Sequence, residues 1–160
     1  MLKIISLMNQ LKKIQKIFSV FHDGTIQNWK GNLEKLHIEV SCQYLAEIID
    51  TSFDCFYIEL QKIDKLELFT VIDNKIDNEI NEPKIIQNIK AIFNNEIDIF
   101  HAKIVENYVE INCWQINEQE NYVANNLLLS CNNIKVFNQN KIEISIEKLF
   151  EISDYYWAKF

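Results

Sequence analysis

The 160-residue chain carries 16 basic and 23 acidic residues, a net charge of −7, and 48% of its residues are apolar. That length suits one domain able to bury a core without disulfides or metals, and two glycines with a single proline exclude a disordered or linker-rich composition. Every basic residue is lysine, so the side chain best suited to bidentate recognition of phosphate and guanine is missing, and nucleic acid is not an expected partner.

In chain order, Leu7, Met8, Leu11, Ile14 and Phe18 form a helical stripe opposite Lys12, Lys13 and Lys16. Such a helix ordinarily covers its own domain, and that reading is preferred to one on a membrane surface. The first residues carry no small-residue cleavage site, and no run approaches the roughly 20 apolar residues that cross a bilayer. A cytoplasmic protein with no membrane contact is expected. Asp23-Gly24 marks a turn, Thr25 to Lys30 a short strand and Gly31-Asn32 a second turn. Lys35 to Cys42 follows as a strand with His37, Glu39 and Ser41 on its polar side. Gln43 to Ile49 reads as an extension or bulge of that strand. Phe53 to Gln61 and Lys65 to Ile72 read as two antiparallel strands, too close for a crossover helix.

Asp73 to Glu82 is an acidic, asparagine-rich loop. Pro83 fits the first position of a helix whose stripe is Ile85, Ile86, Ile89, Ile92 and Phe93, ending near Asn94-Asn95. Glu96 to Val105, Tyr108 to Ile116, Asn121 to Cys131 and Ile134 to Phe137 read as further strands. At the end of the chain Ile142 and Ile144 alternate and Ser145 is a good N-cap. Ile146, Leu149, Phe150, Ser153, Trp157 and Phe160 then recur at helical spacing, with Trp157 expected against the core and Tyr155 off the stripe. Strands in runs, with a helix at each end and one in the middle, predict a single α+β domain over residues 1–160. Its sheet is mostly antiparallel, with the N-terminal, mid-chain and C-terminal helices packed on it.

Chemical signals are sparse. Cys42, Cys55, Cys113 and Cys131 have neither zinc-site spacing nor a C-x-x-C pair, and three of them fall in register with apolar strand faces, which predicts free buried thiols. Phe21-His22-Asp23-Gly24 sets a histidine beside a carboxylate, but turn geometry accounts for Asp23 and Gly24. An EF-hand reading of the acidic loop fails at its sharp sixth position, which is Asn78, and in Glu82-Pro83-Lys84 a nuclease-like pair of letters sits at a loop junction rather than on a rigid element. With two glycines there is no phosphate-cradling loop, nucleophile elbow or dinucleotide fingerprint. No catalytic residue, metal or cofactor is expected. Trp29, Trp114, Trp157, Tyr155 and Tyr156 are aromatic candidates for anchoring a partner.

The run Phe21 to Ile26, the strand-rich middle, and the ending Ile144-Ser-Ile-Glu-Lys-Leu149 with Tyr156-Trp157 resemble small bacterial immunity proteins of polymorphic or contact-dependent toxin systems. The resemblance covers the two ends better than the middle and transfers no functional residue. It implies a cytoplasmic, non-catalytic inhibitor that binds a cognate toxin domain at its active site or an adjoining surface. Asp73, Asp77, Glu79 and Glu82 are the candidate contact, because an acidic loop would steer a basic partner. Two other readings stand beside it: a small enzyme or small-molecule-binding domain with a site inside a curved sheet, and a structural subunit that assembles through a strand edge.

Overall fold

The fold was obtained as a computed structural model, which describes residues 2–71, 82–120 and 122–160. Helix α1 (Leu2–Val20) leads through a turn into strand β1 (Thr25–Gly31) and strand β2 (Lys35–Ser41). Helix α2 (Gln43–Ile49), strand β3 (Cys55–Val71), strand β4 (Ile85–Ile86) and helix α3 (Ile89–Ile92) follow. Strands β5 (Ile97–Val105), β6 (Tyr108–Asn117), β7 (Tyr122–Phe137) and β8 (Glu143–Ile144) precede helix α4 (Ile146–Trp157). The architecture is α+β with an antiparallel sheet, as the sequence pattern predicts.

The strand order β4-β3-β2-β1-β5-β6-β7-β8 has an additional β3–β7 pairing, so the ladders form a closed circuit β1-β2-β3-β7-β6-β5 with β4 and β8 as short appendages. Closure removes most of the aggregation-prone edge that an open antiparallel sheet would expose. The curvature has local causes. Bulges lie between Ile26 and Asn28, between Ile99 and His101, between Ile63 and Lys65, and between Asn112 and Gln115, and each adds bend and twist to its strand.

Helix α1 fills the concave side. Leu11, Ile14, Ile17, Phe18 and Phe21 are fully buried among Leu36, Ile38, Phe56, Ile58, Ile99, Ile111 and Leu129 from five strands. Phe21 meets Phe56 with ring centroids 5.1 Å apart. The turn after α1 is pinned to the sheet: the Asp23 amide donates to the Ile99 carbonyl at 2.9 Å and the Ile99 amide to the Gly24 carbonyl at 2.8 Å. These bonds extend the β1–β5 seam, which as a ladder holds only Thr25–Asp98 and Ile26–Ile97. Beyond them, Gln15 and His22 side chains bond the Ala102 and Phe100 carbonyls of β5. The β1–β2 hairpin requires Gly31, whose φ is +124° and whose added Cβ would lie 2.1 Å from the Lys35 carbonyl oxygen.

Several local expectations are corrected. Gln43–Ile49 is a helix rather than strand, with Leu45 and Ala46 buried on one side. The two strands read at Phe53 to Gln61 and Lys65 to Ile72 are one, β3, continuous through Lys62, which has φ 49°, and the bulge between Ile63 and Lys65 that follows it. Likewise Asn121 to Cys131 and Ile134 to Phe137 belong to one strand, β7, that runs antiparallel to β3 from Val71–Val123 to Tyr57–Phe137. The mid-chain helix does not start at Pro83: Lys84 and Thr70 exchange hydrogen bonds, Ile85 and Ile86 pair with Phe69 and Leu68, and α3 begins only after Asn88, whose side chain accepts from the Ala91 amide at 3.1 Å. At the N-terminus Leu7 and Met8 are exposed, so the buried stripe starts at Leu11.

In α4 the Ser145 cap is as expected, its Oγ accepting from the Lys148 amide at 3.1 Å. The buried line is rotated by one position. Leu149 and Ile152 are buried, Ile146 and Tyr156 flank them, and Trp157 is 47% exposed instead of facing the sheet. The reason is the neighbours: α4 lies against α1 and α2 within the helical layer, so its inward direction is set by helices.

Candidate functional site

The acidic loop contributes little that can be placed. Asp73, Asp77 and Glu79 lie outside the described residues, and Glu82 is exposed at the start of the segment leading to β4. His22 is explained locally: Nδ1 faces the Phe100 carbonyl and Nε2 lies 3.4 Å from the Asp23 carboxylate, both side chains about half exposed. His101 is exposed on β5, and among the described residues no three His, Cys, Asp or Glu side chains converge as metal ligands would. All four cysteines are buried and free. Burial pushes the Cys113 thiol up to about 12, the Cys42 and Cys131 thiols to about 11, and raises that of Cys55 as well, so none is poised as a nucleophile. The concave face, where a ligand inside a curved sheet would sit, is filled by α1. Among the described residues, two surfaces combine a groove with aromatic side chains.

The first is aromatic. On α2, Tyr44 is held by a hydrogen bond from its hydroxyl to the His22 carbonyl, which fixes the ring over the end of α4. Its centroid is 4.5 Å from Tyr156 and 6.2 Å from Trp157, Tyr156 meets Trp157 edge-on at 5.1 Å, and Phe160 closes the group at 5.4 Å from Tyr156. These contacts lie within the range at which rings attract each other through their quadrupoles. Yet the cluster is open to solvent: Trp157 is 47% and Phe160 88% exposed. Burial, then interaction with the neighbouring Cys42, raises the Tyr44 pKa well above that of a free phenol, so its hydroxyl stays a neutral donor. Beside the cluster a shallow groove of about 760 Å³ between α2 and α4 is rimmed by Glu47, Glu151, Lys148 and Lys159.

The second surface is a groove of about 540 Å³ on the outer face of β1, β2, β3 and β7. Strand alternation produces it: the residues opposite the core-facing Leu36, Ile38, Val40 and Ile58 are His37, Glu39, Tyr57 and Glu59. Cross-strand registers set two rows, Asn28–Glu39–Tyr57–Phe137 and Lys30–His37–Glu59–Lys135. Glu59 has only 8% of its side chain exposed, yet it is fully matched: Lys35 Nζ at 3.0 Å, His37 Nε2 at 3.6 Å, and the Gln61 amide on its other oxygen. Burial alone would raise its pKa. The Gln61 hydrogen bond, Lys35 and His37 together outweigh burial and hold the carboxyl below its ordinary value.

Periodicity marked His37 and Glu39 as outward but had no means to place Tyr57 and Glu59 beside them, because β2 and β3 are joined by a helix the pattern did not reveal. The chain matches no protein-family model, no curated protein and no solved structure.

Proposed function

We propose that this chain is a non-catalytic protein-binding domain, an immunity-type inhibitor that neutralises a cognate bacterial toxin domain by direct contact. The observation that carries this reading is an aromatic cluster in which half-buried Tyr44 and Tyr156 hold solvent-exposed Trp157 and Phe160. Tyr and Trp concentrate binding energy at interfaces, because they bring a large area with few rotatable bonds and their rings here are already ordered by one another. Tyr44 and Tyr156 also pack on the core, but the exposed surfaces of Trp157 and Phe160 do not serve it. The net charge of −7 favours a basic partner, and Asp73, Asp77, Glu79 and Glu82 are proposed to add steering charge on the approach.

The test is protection. Cells expressing the toxin domain encoded beside this chain grow when the chain is co-expressed, and the Trp157→Ala/Phe160→Ala variant, with an unchanged circular dichroism spectrum, does not protect. Full protection by that double variant rules out the aromatic surface. Failure of the unaltered chain to protect against, or to bind, any neighbouring toxin domain rules out the inhibitor itself.

A further inference from the structure

On the outer sheet face, the cation that touches the groove floor belongs to the protein. The Lys141 ammonium lies against the face of the Tyr57 ring, reaching back from the short hairpin between β7 and β8. The hairpin backbone is fixed: the Asn138 amide donates to Ile142 O at 2.9 Å, the Lys141 amide to Asn138 O at 2.9 Å, and the Ile142 amide to Asn138 Oδ1 at 3.0 Å. Lys141 sits at φ 63°, a left-handed position that the turn enforces. Only its flexible stem needs to move for the ammonium to leave the ring.

We propose that this groove receives one amine or guanidinium group, and that Lys141 holds the place of that group in the free protein. Tyr57 supplies the ring face and Glu39, its direct cross-strand neighbour, the carboxylate. The two carboxylates of the floor differ in what they have left to offer. Glu59 is saturated by Lys35, His37 and Gln61, whereas half-buried Glu39 has no ion-pair partner among the described residues. Glu39 is also felt by Lys141: burial lowers the lysine pKa and the Glu39 charge works against that lowering. A volume of about 540 Å³, walled on one side by Phe137, exceeds what one lysine head fills and falls in the range of small-ligand sites. An anion entering the groove would meet the Glu39 carboxylate, while Lys35 and His37 are engaged with Glu59 and Lys30 and Lys141 are exposed. This inference stands apart from the toxin-binding reading, since it concerns the opposite kind of residue on a different face.

The experiment uses n-butylguanidinium as probe and nuclear magnetic resonance shifts of the Glu39, Tyr57 and Phe137 amides as readout. Lys141→Met keeps the stem and removes the charge, so it binds the probe roughly fivefold more tightly than the unaltered chain, the scale of one exposed cation–ring contact. Adding Glu39→Gln, an isosteric change at a half-buried position, weakens binding about tenfold, and adding Tyr57→Leu does the same while Tyr57→Phe, which keeps the ring face, does not. The proposal is overturned if Lys141→Met binds no more tightly than the original, if Glu39→Gln has no effect, or if inorganic phosphate shifts these signals and the guanidinium does not.

Discussion

Phe160→Ala separates stability from binding more sharply than any other single change in the aromatic cluster. The residue is 88% exposed, so about one-eighth of its surface is removed from water in the free protein. For a side chain that buries roughly 200 Å² when fully covered, this corresponds to about 25 Å², or about 0.6 kcal/mol at 25 cal/mol per Å². The tilted contacts with Tyr156 and Trp157, at 5.4 and 6.3 Å between centroids, add up to about 1 kcal/mol in this exposed setting. If a partner covers the ring, the remaining area of about 175 Å² is desolvated on binding, an upper limit of about 4 kcal/mol, of which anchors typically show 2 kcal/mol or more on truncation. The expected result is a urea unfolding free energy within about 1.5 kcal/mol of the original and an affinity for the toxin domain reduced at least about thirtyfold. Calorimetry or surface-based kinetics measures the second, and the change falls on the dissociation rate. A stability loss beyond about 1.5 kcal/mol with unchanged affinity would refute the reasoning, because it would mean that the ring is covered by its own chain.

Gln115, 1% exposed, donates to the Ile92 and Asn95 carbonyls at 2.8 and 2.9 Å and accepts from the Tyr122 hydroxyl at 3.1 Å, so Gln115→Met strands buried partners and costs about 2 to 4 kcal/mol in urea unfolding. A cost under about 1 kcal/mol would show that the network adds nothing to stability. Glu59 is held below its ordinary pKa, so its ion pairs stabilise the fold above the unfolded-state value and that stability is lost as pH falls through the lower folded value; the gap between the unaltered chain and Glu59→Gln therefore closes on acidification below about pH 4.3. Unfolding curves from neutral pH downward check this, and a gap independent of pH contradicts it. The buried thiols, with Cys113 pushed up to about 12, resist iodoacetamide in the native protein at pH 8 and react in denaturant, as mass spectrometry would report. Neutralising Asp73, Asp77, Glu79 and Glu82 together slows association with the toxin domain and flattens its salt dependence while leaving unfolding nearly unchanged. Unaltered association kinetics would remove the loop from the contact.

The sequence alone determined what depends on neighbours along the chain. Alternation at Lys35 to Ser41 identified β2 and its two faces, Ser145 followed by a helical repeat located α4, and the apolar registers of the cysteines anticipated their burial as free thiols. These signals are local because one residue's φ/ψ preference, cap or face follows from those within a turn or a pleat. What joins or divides elements was decided in three dimensions. Gln61 to Lys65 is polar and looks like a turn, but β7 alongside accepts a bulge there and carries β3 straight through. Pro83 to Phe93 has a helical stripe, yet Ile85 and Ile86 pair as an edge strand with Phe69 and Leu68 instead of forming a first turn. Both surfaces of interest belong to this second class. Tyr57 and Glu59 reach Glu39 and His37 only through cross-strand register, and the exposure of Trp157 follows from α4 leaning on α1 and α2, which turns its buried line by one residue. Periodicity defines that a helix has an inner face, while the tertiary neighbours determine which residues occupy it.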